Sequence, residues 1–469
     1  MVFGTRTRVY HRFYTVGKTR VLSKKILILL FLISLISFLL SFRGLKPELE
    51  TVNVTTSPYY YKHIKNEKFL TYIPHSQFHN QLIELKNAII LAYLTNRTLI
   101  MPPIIHFTHN FSIPHAPLIK LYDRLIHYEN VKKIRSLCNT KDSPEGYCSL
   151  DYIKYDSYMM INWEEIFDLS WIKNQIKIIN RNDFSIEGLY KICNIPIKET
   201  FNDNFNDLLE DNENVFVLSQ GNQAKNRYYY RFFDTVNTDN NYELINYESP
   251  YLISDLQKRK EKLIHTDSLF GSFRINFKDE NIINWKSEME RNFLISHPTL
   301  LNVVNNITNE LGGFGSFLGV HVRIGDSIFK KNTNNTVDLI INDIKDVLQV
   351  TKKIIDTPNS NNNYCKSENK QIIFIATDSS DPRVELSKIF STFGCVFTLG
   401  DFKDFIDPLR DITYTFDKNV KMLDFFYPLV DLMVIANGME VIGTRQSTFS
   451  KFAKYYHKTL TYKKGQNAF

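Results

Sequence analysis

The stretch Gln371-Ile-Ile-Phe-Ile-Ala376 is the strongest constraint on the fold of this chain. It is almost uninterrupted in apolar character, as a strand must be when both of its faces are covered. Strands of that kind belong to parallel sheets with helices packed on each side, and the surrounding sequence supplies them. Val337 to Thr351 reads as a helix before it, and Arg383 to Phe390 as a helix after it. Val396-Phe-Thr-Leu399 and Glu440-Val-Ile-Gly443 read as further strands. Met422 to Ala436 is a long apolar helix, kinked or started late by Pro428, and Phe449 to Tyr456 closes the series. The stretch Phe317-Leu-Gly-Val-His-Val-Arg-Ile-Gly-Asp326 supplies a strand that runs into a charged, glycine-containing turn. Alternating strands and helices predict a parallel α/β sheet.

A second unit of the same kind lies earlier. Leu70-Thr-Tyr-Ile73 is a strand, Gln81 to Leu94 an amphipathic helix, and Thr98-Leu-Ile-Met101 a strand stopped by Pro102-Pro103. Between the two units, Asn162 to Trp171 is helical in flavour, Val215-Phe-Val-Leu218 is a strand, and Gln257 to Leu263 is a charged helix. The expected architecture is therefore two Rossmann-like α/β domains facing a cleft, over 66–290 and 291–469.

The N-terminus carries a different signal. Residues 1–25 hold seven basic side chains and no acidic one, and residues 26–42, ILILLFLISLISFLLSF, contain neither charge nor proline. Seventeen residues make a helix of roughly 25 Å, at the short end of what spans a bilayer. The basic excess ahead of the span keeps the tail cytosolic and sends the bulk across the membrane, as a type II anchor. A cleaved signal peptide is the competing reading, but its apolar core is shorter and its cleavage site Ala-x-Ala-like. A short anchor suits the thinner membranes of the endoplasmic reticulum or Golgi. Residues 43–65, with Pro47 and Pro58, form a polar stem. The net charge of +7 equals the charge of the tail, so the remainder is neutral and nucleic acid is excluded as a partner on electrostatic grounds.

Sequons at Asn53, Asn96, Asn110, Asn306 and Asn334 fit a luminal location. Five cysteines fit an oxidising compartment, with Cys138–Cys148 and Cys365–Cys395 as the expected pairs and Cys193 left free. No Cys/His spacing resembles a zinc site.

Three loops at strand carboxyl ends collect polar groups: Arg323-Ile-Gly-Asp326, Thr377-Asp-Ser379 and Thr444-Arg-Gln-Ser-Thr448. Open α/β sheets bind ligands at that edge. Ser447, Thr448 and the N–H groups of the next helical turn make an anion site, to which Arg323 adds a bidentate donor. For Ser447, Thr448 and Asp378, ordinary helix capping is the alternative role. The set suits a diphosphate leaving group held without a metal.

These residues resemble a known family. His321-Val-Arg-Ile-Gly-Asp326 is similar to the H-x-R-x-G-D signature of the GDP-fucose protein O-fucosyltransferases and related enzymes. Gln77-Phe-His-Asn-Gln81, followed by a helix and Asn96-Arg-Thr-Leu-Ile-Met-Pro-Pro103, resembles the family's N-terminal motif. Ala376-Thr-Asp-Ser379 and Val441-Ile-Gly-Thr-Arg-Gln-Ser-Thr-Phe-Ser450 resemble two later ones, and Glu165-Ile-Phe-Asp168 a weaker middle one. The resemblance implies a GT-B fold and inverting transfer of fucose from GDP-fucose to a protein or glycan hydroxyl, with no metal. It implies that Arg323 stabilises the β-phosphate, Asp326 orients that loop and His321 lines the nucleotide. Asn80 would contact the diphosphate, and Asp378 and Ser379 the guanosine side. Ser447, Thr448 and Phe449 would close the phosphate pocket. Phe78, His79, Gln81, Gly325 and Arg445 complete the expected binding set. One departure stands out: Ser76 and His79 occur where the family has glycine. His75 and His79 have the unperturbed pKa of a general base, with structural or acceptor-contacting roles as the alternative.

Overall fold

A computed structural model describes residues 67–107, 158–197, 212–219, 228–234, 247–325, 327–351 and 371–466, with a few positions of 118–125. The tail, anchor and stem expected over 1–65 lie outside the described residues, as do Asp326, Cys138, Cys148, Cys365 and the sequons at Asn53 and Asn110. Among the described residues no helix is long and apolar enough to cross a membrane.

Residues Ile64–Phe469 form one compact unit built on two parallel sheets. The first comprises β1 (Phe69–Thr71), β2 (Thr98–Met101), β3 (Ile178–Asn180), β4 (Val215–Leu218) and β5 (Leu263–Thr266), in the order β3-β2-β1-β5-β4. Every pairing in it is parallel. Between β1 and β2 runs α1 (Phe78–Thr95), which ends where Asn96 takes the left-handed conformation at φ 50°. Asparagine tolerates that conformation and so stops the helix. The strand order reverses between β1 and β5, which opens a crevice beyond their carboxyl ends.

Two expectations for the middle region require correction. The helix expected over Gln257 to Leu263 lies earlier, at Ile253–Lys258, and Leu263 opens β5 in the sheet interior. Two polar residues disguise this strand. His265 is fully buried because Tyr122 Oη lies 2.6 Å from its Nε2, and Thr266 donates from Oγ1 to the carbonyls of Thr71 and Asp267. The single helical stretch expected over Asn162 to Trp171 is broken. Short helices Trp163–Ile166 and Ser170–Lys173 flank the strand Phe167–Asp168, which pairs antiparallel with Leu294–Ile295.

The second sheet comprises β6 (Leu318–Val322), β7 (Ile373–Thr377), β8 (Val396–Thr398) and β9 (Val441–Gly443), ordered β8-β7-β6-β9 and parallel throughout. The two-faced character of β7 is real. Ile373 and Ile375 pack with Val337, Ile340, Ile341 and Ile344 of α2 (Thr333–Thr351), whereas Phe374 and Ala376 join the cluster holding α3 (Leu423–Ala436). The late start expected for α3 does not occur; the helix begins at Leu423 and runs through Pro428. The backbone of α3 lies directly against β6. A Cβ added at Gly319 would fall 2.2 Å from the carbonyl oxygen of Ile435, so only glycine fits there.

The last helix, α4 (Thr448–Gln466), is much longer than the expected Phe449 to Tyr456 and packs on both α3 and α1. One hydrophobic cluster consequently runs from Leu82 and Trp163 of the first half to Phe425 and Tyr456 of the second. Polar contacts reinforce it: His106 Nδ1 lies 2.5 Å from Tyr414 Oη, and Thr415 donates to Glu165 at 2.7 Å. Cys193 is free and buried, its thiol pushed up to about 12 by burial, and Cys395 is disulfide-bonded.

Candidate functional site

The neighbouring strands β7, β6 and β9 bring their three exit loops together. Thr444, just beyond β9, accepts a hydrogen bond on Oγ1 from the N–H of Arg323 at 2.9 Å and donates to the carbonyl of His321 at 3.2 Å. Asp378, just beyond β7, accepts on Oδ1 from the N–H groups of Ile324 (2.8 Å) and Gly325 (3.0 Å). The loop must press this closely: a Cβ at Gly325 would sit 2.9 Å from the Asp378 carbonyl oxygen. The Arg323 backbone is thus fixed from both sides. Its Nε lies 3.8 Å from Asp378 Oδ2, its guanidinium 5.2 Å from the centre of the Phe329 ring, and its side chain remains 31% exposed.

Below Arg323, His321 stacks on Phe449 at 4.3 Å and 21°, with its Nδ1 2.7 Å from Ser450 Oγ. Burial, reinforced by the Arg323 charge, lowers its pKa to about 3, so it is neutral. Ser447 accepts from the Ser450 N–H at 3.4 Å and so caps α4. Thr448 and Phe449, in the first helical turn, leave N–H groups without partners inside the helix. Gln446 holds φ 66° in the tight turn that starts the helix. Arg445 lines a cavity of 230 Å³ with Phe329, Thr444, Gln446, Thr336 and Asp343.

The first half contributes the start of α1. Ser76 stands at φ 62°, a conformation that glycine adopts most readily, which explains how serine occupies a position where glycine was expected. Asn80 donates from Nδ2 to Ser76 Oγ at 2.8 Å and braces that turn. Gln77 provides no side-chain cap; its carbonyl accepts from the N–H groups of Asn80 (2.9 Å) and Gln81 (3.2 Å), and those of Phe78 and His79 precede the first intrahelical bonds. His79 lies in this turn with its ring 4.9 Å from Phe449 and 5.6 Å from Phe452. The N-termini of α1 and α4 therefore meet beside Arg323. Each carries the positive end of a helix dipole, and with the guanidinium they gather positive potential from both halves.

Not every expected residue belongs to it. Gln81 is wholly buried: its Nε2 donates to the carbonyls of Ser76 and Ile105, and its Oε1 accepts from the Ile105 N–H. With its amide so engaged it is structural and not a ligand contact. Phe78 is enclosed by Trp163, Phe167 and Phe425 in an aromatic cluster. Ser379 donates to Glu385 on its own loop, and Asp378 shapes the Arg323 turn. His75, considered as a base, is buried against Glu84 and lies 2.7 Å from Ser268 Oγ. That network ties the loops after β1 and β5 across the crevice. Ser450, quoted only as the end of the last motif, has no role in the sequence reading, and Phe329 is not singled out there.

No family model matches the chain. A stretch of 39 residues is 62% identical to O-fucosyltransferase 30 of Arabidopsis thaliana, and this match spans 8% of each protein. Among solved structures, POFUT1 in complex with GDP-fucose aligns at 9% identity and TM-score 0.41, over 84% of this chain and 95% of that one. The α-1,6-fucosyltransferase NodZ soaked with GDP-fucose aligns at 13% identity and TM-score 0.38, over 83% and 92%. An arginine-to-lysine mutant of Arabidopsis thaliana FUT1 in complex with GDP aligns at 10% identity and TM-score 0.35, over 83% and 68%.

Proposed function

We propose that this chain is a fucosyltransferase-like glycosyltransferase that moves fucose from GDP-fucose to a protein or glycan hydroxyl with inversion at the anomeric carbon. The observation that carries this reading is the convergence of two helix N-termini on Arg323. As the acceptor oxygen bonds to the sugar, the bond from the anomeric carbon to the β-phosphate breaks and negative charge grows on the diphosphate. In this reading Arg323 and the N–H groups at the starts of α1 and α4 receive that charge. These donors need no rearrangement, because Thr444 and Asp378 already hold the loop. The family motifs in order along the chain, together with the short stretch shared with O-fucosyltransferase 30, support fucose as the sugar.

In this reading 66–290 and 291–469 are the acceptor-side and donor-side halves of a GT-B arrangement. An anchor over 26–42 holds them in the lumen of the endoplasmic reticulum or Golgi, and no metal takes part. The test is transfer of labelled fucose from GDP-fucose to mixed glycoprotein and glycan acceptors by the full chain. Transfer that persists in excess chelator is expected. No transfer to any acceptor, or activity abolished by the chelator, contradicts the proposal.

A further inference from the structure

His79 is a polar group left waiting inside this site. Its Nε2 is buried and has no hydrogen-bond partner in the protein. Buried polar atoms in folded proteins are nearly always paired, so an orphan within reach of the Arg323 charge calls for a partner from a ligand. The ring has little freedom to find one elsewhere, because Phe78, Phe449 and Phe452 pack around it.

Two roles are open to such an imidazole. As a base it would accept the acceptor's proton and become a cation. As a neutral group it would donate from Nε2–H. The surroundings decide between them. Arg323 and His321 approach from the second half, and from its own helix Lys86 lies 5.5 Å from the centre of the Phe452 ring that His79 touches. None of these groups is a carboxylate that could balance an imidazolium, and the α1 dipole opposes one as well. Burial first, and the Arg323 charge second, lower the His79 pKa to about 3. The ring is therefore neutral at physiological pH.

We propose that His79 donates a hydrogen bond from Nε2 to a phosphoryl oxygen of the leaving diphosphate, as a neutral imidazole and not as the base that takes the acceptor proton. This role rests on the function proposed above. His79 thereby adds a third kind of donor to the guanidinium and the helix N–H groups, and with the α1 N–H groups it comes from the first half of the molecule.

The test is calorimetric binding of GDP to the full chain, compared with His79→Leu, His79→Phe and His79→Gln, alongside turnover of each. Both apolar variants should weaken GDP binding about tenfold, the scale of one hydrogen bond to a charged group. His79→Gln retains an N–H donor and should recover most of the affinity and turnover. Leucine keeps the test valid if phenylalanine overfills the site and unfolds the protein. Unchanged GDP affinity in a folded apolar variant would overturn the role. So would a His79→Gln protein that binds GDP normally but loses turnover about 1,000-fold, the behaviour of a missing base. Failure of the unsubstituted chain to bind any guanine nucleotide would instead remove the functional reading, and this role with it.

Discussion

Arg323→Ala should lower fucose transfer by about 10²–10³-fold, the usual consequence of removing one preorganised donor from developing negative charge. Steady-state kinetics would show the loss chiefly in kcat, because the charge it meets grows as the glycosidic bond breaks. The melting temperature should barely move. The loop is held by backbone bonds to Thr444 and Asp378, which alanine preserves, and the Arg323 side chain is partly exposed. A large drop in melting temperature would instead mean that Arg323 is part of the framework. Retained turnover would remove it from the chemistry.

Phe425→Ala is the largest stability effect we expect, about 3–5 kcal/mol, in the range for emptying a buried phenylalanine site. Phe425 is 2% exposed and meets Phe78 at 5.4 Å and His106 at 5.2 Å, so it joins α3 of the second half to the first half. Denaturant unfolding followed by both fluorescence and circular dichroism should show the loss as one coincident transition, since a single cluster runs through both halves. Two separated transitions in the native protein would contradict that shared core. Activity should fall as well, because the Phe78 ring that rests on Phe425 immediately precedes His79 in the first turn of α1.

What the sequence reveals here follows from what each residue is required to do. The paired faces of β7 were readable because apolar side chains on both sides have one common meaning. The gathering of Arg323, Asp378 and Thr444 was readable from their places at strand ends, since parallel strands deliver their exits to one edge. By contrast β5 was hidden, because His265 and Thr266 are polar and their burial depends on partners distant in sequence. For Asp378 and Gln81 the sequence leaves the role open for a related reason. A polar side chain near a site looks the same in sequence whether it meets a ligand or holds a loop, and here hydrogen bonds to Ile324, Gly325 and Ile105 separate the cases. Nor does spacing reveal that the first turns of α1 and α4 lie side by side, since His79 and Phe449 are brought together only by the packing of the two halves.

The central claim is a diphosphate site formed by Arg323 and two helix N-termini and used for a guanine nucleotide. Isothermal titration of the full chain with GDP, GDP-fucose and UDP tests it most directly. Saturable binding of GDP and GDP-fucose, with UDP silent, is the predicted result. Binding of UDP in preference to the guanine nucleotides, or of none of the three, would contradict it.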